Sequence, residues 1–312
     1  YVWVAIRKTP FDFKKFASGS ALLLLAAAIP FGISCALLYA AGVFKTFWFW
    51  TFAYGAEYVT ENSLSNAPDL LGKSAPLVIK YWVGVWAIAG IGFTSVLWNR
   101  TMRSRWAFIT GITLFSFLTI CPGFYFRNHY FVTLLPVVAL LAGIATSALM
   151  RLIPERGMVR SAKAIPLLMI AAALIYPIVR YRELFFTATP VQACRMMYGT
   201  SPFPESLEIA EYIKNHTTMD DRIAVFGSEP QICFYAGRKS ATGYIHMYPL
   251  MEPQIFSRKM QSDVIREIEN AQPKFAVRVN IPNSWDRRTD SDPTIFHWAD
   301  EYFGSNYRIA GF

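Results

Sequence analysis

The chain has 312 residues, of which 54% are hydrophobic, and a mean hydropathy of +0.29. This apolar content exceeds that of an ordinary soluble domain and favours the membrane class. The formal net charge of +9 is unevenly divided, because residues 1–180 hold 16 Lys/Arg against 5 Asp/Glu, whereas residues 181–312 hold 14 against 16. The basic excess therefore indicates membrane topology, and we expect no nucleic-acid partner.

Five apolar stretches are long enough, or nearly so, to cross a membrane. A spanning helix needs about 20 residues for a hydrocarbon core of ~30 Å. The predicted spans are about 18–43, 77–98, 106–126, 130–149 and 164–180. The opening residues "YVWVAIRKTP" are typical of the cytoplasmic end of an earlier span. We therefore interpret the chain as the C-terminal part of a longer polytopic α-helical membrane protein.

Basic residues predict how the spans are oriented. Three alternating loops carry most of them: Arg7, Lys8, Lys14 and Lys15; then Arg100, Arg103 and Arg105; then Arg151, Arg156, Arg160 and Lys163. The positive-inside rule makes these loops cytoplasmic. The loops 44–76 and 121–129 are then external. Residues 1–183 form the predicted transmembrane region of a bacterial inner (plasma) membrane protein, and residues 184–312 form a domain outside the cytoplasm.

One polar group interrupts the apolar sequence "CPGFYFRNHYFVTLLP" (121–136). Arg127 and His129 fall at the predicted outer interface, where a lipid phosphate would lie. Arginine offers a planar fork of donors for phosphate oxygens, and His129 could add a donor. Lys80, about one turn into the second span, is a further candidate phosphate ligand. The alternative is that these residues are interfacial anchors that extend to lipid headgroups.

The external loop "FKTFWFWTFAYGAEYVTENSLSNAPDLLGK" (44–73) is rich in aromatic residues and contains carboxylates. Helical spacing puts Tyr54, Glu57 and Tyr58 on one face, and Glu61 follows them. Aromatic rings and carboxylates are a common combination for sugar or acceptor contact. The alternative is an interfacial helix with its aromatic side chains in the headgroup layer. No metal-ligand spacing occurs, and we expect neither a metal nor a cofactor.

The soluble tail predicts a small α/β domain with a mainly parallel sheet. It begins with a predicted connector over 185–204, a helix from Pro204, a strand at 222–227 and a short helix capped by Ser228 and ended by Gly237. A longer helix follows, with an apolar stripe of Ile255/Phe256, Met260, Val264 and Ile268. The last predicted elements are a strand at 274–280, a helix in "PTIFHWADEYF" and a strand in "YRIAGF".

Ligands of such sheets usually bind at the carboxyl ends of the strands. Here those ends carry 227–231 and Asn280, with 237–244 close by. The alternative for "GSEP" is a turn and a helix cap. Pairing of Cys194 with Cys233 stays open, since two cysteines without a motif say little.

Two segments resemble a known family. "RNHYFVTLLPVVALLAGIA" (127–145) resembles a segment of the GT-C superfamily glycosyltransferases, in particular the family-39-like protein mannosyltransferases and aminoarabinose transferases. "DRIAVFGSEPQICFYAGRKSATGYIHMYPLMEPQ" (221–254) resembles the external C-terminal domain of a bacterial branch of that group.

The resemblance implies an enzyme that moves a sugar from a polyprenyl-phosphate donor to a glycan, lipid or protein acceptor at the outer face of the membrane, with inversion. The family's catalytic carboxylate lies in the first external loop, which would precede Tyr1, so no catalytic base is assigned. Two alternatives are a lipid or glycan transporter, which predicts ionisable residues deep in the spans, and a non-enzymatic envelope protein with an external binding domain.

Overall fold

A computed structural model describes residues 12–154 and 161–311. The chain divides between Arg180 and Tyr181 into two compact units. The described part of the first unit is helical, and the second contains a three-stranded parallel sheet. The prediction of a mostly helical chain with a small parallel sheet is therefore confirmed.

The first unit contains nine α-helices within the described residues. They are α1 (Phe13–Ala40), α2 (Phe44–Trp48), α3 (Tyr54–Thr60), α4 (Ala67–Ile79), α5 (Val83–Trp98), α6 (Arg100–Arg103), α7 (Trp106–Leu118), α8 (Leu135–Leu152) and α9 (Ala164–Arg180). A π-helical turn at Phe49–Ala53 joins α2 to α3, and 3-10 turns lie at Pro122–Phe124 and Asn128–Leu134.

Three described helical stretches are long and apolar enough to cross a membrane: Phe13–Ala40, Asn128–Leu152 and Ser161–Arg180. They coincide with the first, fourth and fifth predicted spans. The second predicted span, 77–98, is wrong as a single helix. It begins inside α4 and continues into α5, and these two helices are bent by 115°. Lys80 is the only charged residue between the two helices, and apolar residues flank it on both sides, so hydropathy averaged over a window does not detect the bend.

The third predicted span, 106–126, is wrong in its length. The helix α7 ends at Leu118 after 13 residues, which is about 20 Å at the rise of an α-helix. The chain then turns at Pro122 and Gly123, where Gly123 has a φ of 68°. Proline cannot donate a helical hydrogen bond, and a glycine in the left-handed conformation ends a helix. The residues after Leu118 are therefore apolar but do not extend α7.

The core of the first unit is formed where α5 packs against α8. Ala142 and Ala145 of α8 are buried together with Ile88 of α5. A Cβ at Gly92 would overlap the carbonyl oxygen of Leu141. The glycine therefore lets the two backbones come close, as small residues do in membrane helix pairs.

The second unit contains six α-helices and three strands within its described residues. They are α10 (Pro190–Tyr198), α11 (Phe203–Asn215), β1 (Arg222–Phe226), α12 (Pro230–Ala236), β2 (Lys239–Ser240), α13 (Tyr248–Met251), α14 (Ser257–Ala271), β3 (Phe275–Arg278) and α15 (Thr294–Asn306). The strand order is β2-β1-β3, and Ile223 pairs with Ser240 on one side and Phe275 on the other.

Apolar side chains bury this sheet on both faces. Ile223 and Val225 of β1 pack with Ile213 of α11 and Ile232 of α12. On the other side, the ring of Phe226 lies 4.5 Å from that of Trp285 and 6.1 Å from that of Phe296. The predicted stripe of α14 is confirmed from Met260 onward, since Met260, Val264 and Ile268 are buried.

Several predictions for this unit are wrong. The predicted connector 185–204 contains helix α10, which starts with a capping box between Thr189 and Gln192, a signal present in the sequence. The predicted last strand, 307–312, is not formed over its described residues 307–311, which are irregular, and β2 is the third strand of the described sheet. Ile255 is exposed and precedes α14.

The prediction for the short helix α12 is correct at its C-terminal end and wrong at its N-terminal end. Gly237 terminates it in the left-handed conformation with a φ of 63°, as predicted. Ser228 does not cap it, because Glu229 occupies the cap position and no side chain bonds there. Cys194 and Cys233 are both free thiols.

Candidate functional site

The segment around Arg127 has an unusual backbone. Gly123, Phe124 and Phe126 all have positive φ values, of 68°, 50° and 46°. Non-glycine residues rarely adopt this conformation, and it costs of order 1–3 kcal/mol each. Such strain persists only where the surroundings fix it, and it is concentrated at functional sites.

Buried side chains and one hydrogen bond hold this strained turn. Phe126 and Phe131 are 2% and 3% exposed and belong to the core of the first unit. The side-chain amide of Asn62 donates to the carbonyl oxygen of Gly123 at 2.8 Å. A Cβ at Gly123 would lie 2.8 Å from the ring of Tyr125, so glycine is required for the turn. The segment is thereby fixed against the helix–loop region around α3.

Aromatic rings and a carboxylate meet at this contact. The rings of Tyr58 and Tyr125 stack with their centroids 4.5 Å apart. The hydroxyl groups of Tyr58 and Tyr130 are 2.6 Å apart and hydrogen-bonded. The hydroxyl of Tyr125 donates to the carboxylate of Glu61. Two segments that are distant in sequence therefore share one hydrogen-bonded group.

Two predicted phosphate ligands lie on the same group of rings. The guanidinium carbon of Arg127 is 5.1 Å from the centroid of the Tyr125 ring, within reach of a cation–π interaction. The ring of His129 meets that of Tyr130 edge-on at 4.7 Å. We call the residues Tyr58, Glu61, Tyr125, Arg127, His129 and Tyr130 the tyrosine cluster.

The tyrosine cluster joins residues that the sequence predicts for separate roles. Arg127 and His129 are predicted phosphate ligands, whereas Tyr58 and Glu61 are predicted sugar or acceptor contacts. A guanidinium and an imidazole beside tyrosine hydroxyls and a carboxylate can recognise an anion and a polyhydroxylated group side by side. The structure places all four candidates in one contiguous arrangement.

The other predicted residues lie elsewhere. Tyr54 and Glu57 are on α3, and the ring of Tyr54 packs against Trp50 at 5.3 Å. Lys80 follows α4 at the bend before α5, and its ammonium group lies 4.8 Å from the ring of Tyr81. No hydrogen bond, ion pair or ring contact in the described structure joins Lys80 to the tyrosine cluster.

The sequence assigns no site role to three residues that hold this arrangement together. Tyr125 and Tyr130 are predicted only as interfacial aromatic residues, and Asn62 has no predicted role. The only available signal is their proximity to Arg127 or Glu61 along the chain. The pairing of Tyr58 with Tyr130 spans 72 positions, and no spacing rule predicts it.

The carboxyl edge of the sheet is a different kind of arrangement. Glu229 is only 5% exposed, and Ser284 donates its hydroxyl to the Glu229 carboxylate at 2.6 Å. Ser284 in turn accepts from the backbone N–H of Ser228 at 2.8 Å, and the hydroxyl of Ser228 accepts from the N–H of Met247 at 2.8 Å. Burial raises the pKa of Glu229, and the Ser284 hydrogen bond opposes this.

These groups satisfy one another and enclose the carboxylate. A Cβ at Gly227 would lie 2.6 Å from the carboxylate of Glu229 and from the hydroxyl of Ser284. The edge is therefore closely packed around Glu229. This geometry favours a structural turn over a ligand site.

Neither a metal site in the described residues nor a known relative indicates the function of this chain. Over residues 12–154 and 161–311, no group of three or more His, Cys, Asp or Glu side chains could hold a metal ion. Comparison of the chain with protein families, curated proteins and solved structures found no match.

Proposed function

We propose that this chain is the C-terminal part of an integral membrane glycosyltransferase that uses a polyprenyl-phosphate-linked sugar. The observation that carries the proposal is the tyrosine cluster, in which Arg127 lies over Tyr125 and Tyr125 bonds Glu61. The strained turn that holds Arg127 there supports a binding role. The resemblance of residues 127–145 to GT-C glycosyltransferases supports the same reaction class.

Residence in a membrane is supported by the surface of α1. None of its described residues is buried, and Leu22 and Leu24 are 68% and 70% exposed. Such a continuous apolar surface needs lipid or another protein around it. The positive-inside pattern supports a tyrosine cluster at the outer face of the membrane and a second unit outside the cytoplasm. We propose a bacterial inner membrane as its location.

The proposed chemistry is the displacement of polyprenyl phosphate from the anomeric carbon by the acceptor. Arg127 and His129 would hold the departing phosphate with charge-assisted hydrogen bonds. Tyr58 and Glu61 would contact sugar hydroxyls. Tyr54 and Glu57 remain proposed acceptor contacts, and Lys80 a proposed second phosphate ligand. We assign no general base within this chain.

The rival classes lack a specific observation in their favour. A transporter predicts charged residues deep within its spans. The three candidate spans carry Asp, Glu, Lys, Arg and His only near their ends. A purely binding role for the second unit is compatible with its fold, yet its sheet edge is closed around Glu229.

Binding of a polyprenyl monophosphate to Arg127 variants tests the proposal. Charge-assisted hydrogen bonds contribute ~1.5–3 kcal/mol, so Arg127→Ala should weaken binding by about 10- to 100-fold. Arg127→Lys should retain part of the affinity, because it keeps the charge without the fork. The matched control is Arg100→Ala, an exposed arginine outside the cluster. Affinity is measured with purified protein in nanodiscs and normalised to folded protein.

The two interpretations of Arg127 predict different results. A membrane anchor would let lysine replace arginine almost fully, and alanine would lower expression more than affinity. Unchanged affinity in folded Arg127→Ala would remove this residue from the site.

A further inference from the structure

The first unit contains a second candidate site, away from the tyrosine cluster. A cavity of about 860 Å³ lies between α5, α8 and α9. Its inner wall consists of small and apolar side chains, including Ala139, Ala142, Gly143, Thr146, Ile170 and Leu174. This volume lies in the range of small-molecule sites, which is ~300–1,000 Å³.

Basic residues lie at one end of this cavity. Arg151 and Lys163 both line it. Arg151 lies in the last turn of α8, and Lys163 immediately precedes α9. Arg151 donates one N–H to the hydroxyl of Thr101 at 3.1 Å. Because a guanidinium has five N–H donors, others are left for a ligand. No acidic residue lines the described cavity.

The length of the cavity wall suits a lipid chain. Arg151 and Ala139 are twelve residues apart on α8, which is about 18 Å along a helix. Half of a ~30 Å hydrocarbon core is about 15 Å. An amphiphile with its headgroup beside Arg151 would therefore have an apolar path to the middle of the bilayer.

We propose that this cavity binds one anionic phospholipid, with its phosphate between Arg151 and Lys163 and one acyl chain beside Gly143. Basic pockets between membrane helices bind anionic headgroups in this way. The apolar wall distinguishes a lipid from free phosphate, which would use only the basic end. The proposal rests on the membrane residence proposed above and is independent of the transferase activity.

Gly143 provides a test of the acyl-chain path. A Cβ at this position meets nothing within 4 Å, so a leucine side chain would project into open space at the cavity wall. Gly111 on α7 is a matched control, since its Cβ also meets nothing within 4 Å and it does not line the cavity.

The experiment is native mass spectrometry of the purified full chain titrated with phosphatidylglycerol or with uncharged phosphatidylcholine. We expect one tightly bound phosphatidylglycerol. Arg151→Gln combined with Lys163→Gln should weaken it about 25-fold, or about fivefold for each charge. Gly143→Leu should weaken it at least ~10-fold by blocking the chain path. Arg100→Gln and Gly111→Leu should change it less than about twofold.

Several outcomes would overturn the proposal. These are equal binding of both lipids, loss of binding in the glutamine variant but not in Gly143→Leu, or equally tight binding of inorganic phosphate that displaces the lipid. Should the double glutamine variant fail to fold, Gly143→Leu and its control still decide. Extraction of the protein from membranes by carbonate would instead contradict membrane residence, and loss of polyprenyl monophosphate binding alone would contradict only the transferase.

Discussion

Two arginines, one in each unit, show how differently the same side chain can be used. Arg238 is 9% exposed and donates to the carbonyl oxygens of Lys214, Thr217, Ala236 and Gly237, and to the hydroxyl of Thr217. Arg127 is half-buried and lies over the ring of Tyr125. The first closes a turn, whereas the second lies over an aromatic ring, on a segment with positive φ values.

Hydrogen-bond partners decide whether a basic residue near a predicted site has a structural role or is available to a ligand. Residues 237–244 are predicted to join a ligand site at the sheet edge, and Arg238 is the strongest anion ligand among them. Its donors are instead directed to the chain that leaves α11. Buried backbone carbonyls require such partners, so Arg238 is a structural residue.

The largest expected effect is on Arg238. Arg238→Met should lower the free energy of unfolding of the second unit by about 3 kcal/mol, because buried carbonyl groups lose their donor. Arg127→Met should change this quantity little. Hydrogen–deuterium exchange of the β1 amides at increasing denaturant concentration measures both variants. A loss below ~1 kcal/mol for Arg238→Met would contradict the structural role of Arg238.

The next largest effect tests whether the carboxyl edge of the sheet is a closely packed turn. Gly227→Ala should destabilise the second unit by about 2 kcal/mol, because the new Cβ meets Glu229 and Ser284 at 2.6 Å. Gly304→Ala is the control: its Cβ meets nothing within 4 Å, and alanine is favoured over glycine in α15. Equal stability of both variants would mean that the edge has room for a ligand.

A smaller effect concerns the protonation of Glu229. Its folded pKa is raised by burial, so ionisation destabilises the folded state as pH rises from the unfolded pKa through the folded one. Glu229→Gln should therefore be more stable than the wild type at pH 7, with the difference shrinking toward pH 4. Unfolding curves at several pH values measure this. A strongly destabilised Glu229→Gln at pH 7 would contradict the conclusion that burial disfavours the ionised carboxylate.

The smallest effect concerns the tyrosine cluster. Tyr58→Phe removes the hydrogen bond to Tyr130 and keeps the stacking on Tyr125. We expect a loss of about fivefold in affinity for a polyprenyl-linked sugar, equivalent to one hydrogen bond of ~1 kcal/mol. Tyr39→Phe, on α1, is the control. Equal affinities for both variants would limit Tyr58 to a packing role.

The sequence predicts the elements whose signal is local. The strands β1 and β3 and the stripe of α14 follow from periodicity, and α1, α8 and α9 follow from apolar length. The bend between α4 and α5 is not predictable from hydropathy, because one lysine, Lys80, is too weak a signal within a long apolar stretch. The early end of α7 had a signal in Pro122 and Gly123, which the apolar length outweighed.

The residues of the candidate site are partly predictable from the sequence, but their arrangement is not. Arg127 and Glu61 are recognisable individually by their chemistry within apolar surroundings. Their association depends on the turn at Gly123 and on contacts such as Tyr125 with Glu61, which are 64 positions apart. Side-chain chemistry is local, whereas the pairing of distant segments is decided by tertiary packing.

Photocrosslinking with a polyprenyl phosphate shows whether the tyrosine cluster binds the lipid phosphate. The probe carries a diazirine on the first isoprene unit, next to the phosphate, and the labelled peptides are mapped by mass spectrometry. We predict labelling within 121–131 and around Tyr58, competed by unlabelled polyprenyl phosphate and reduced in Arg127→Ala but not in Arg100→Ala. Labelling confined to other segments, or unaffected by competitor and by Arg127→Ala, would contradict the assignment of the tyrosine cluster as the lipid-phosphate site.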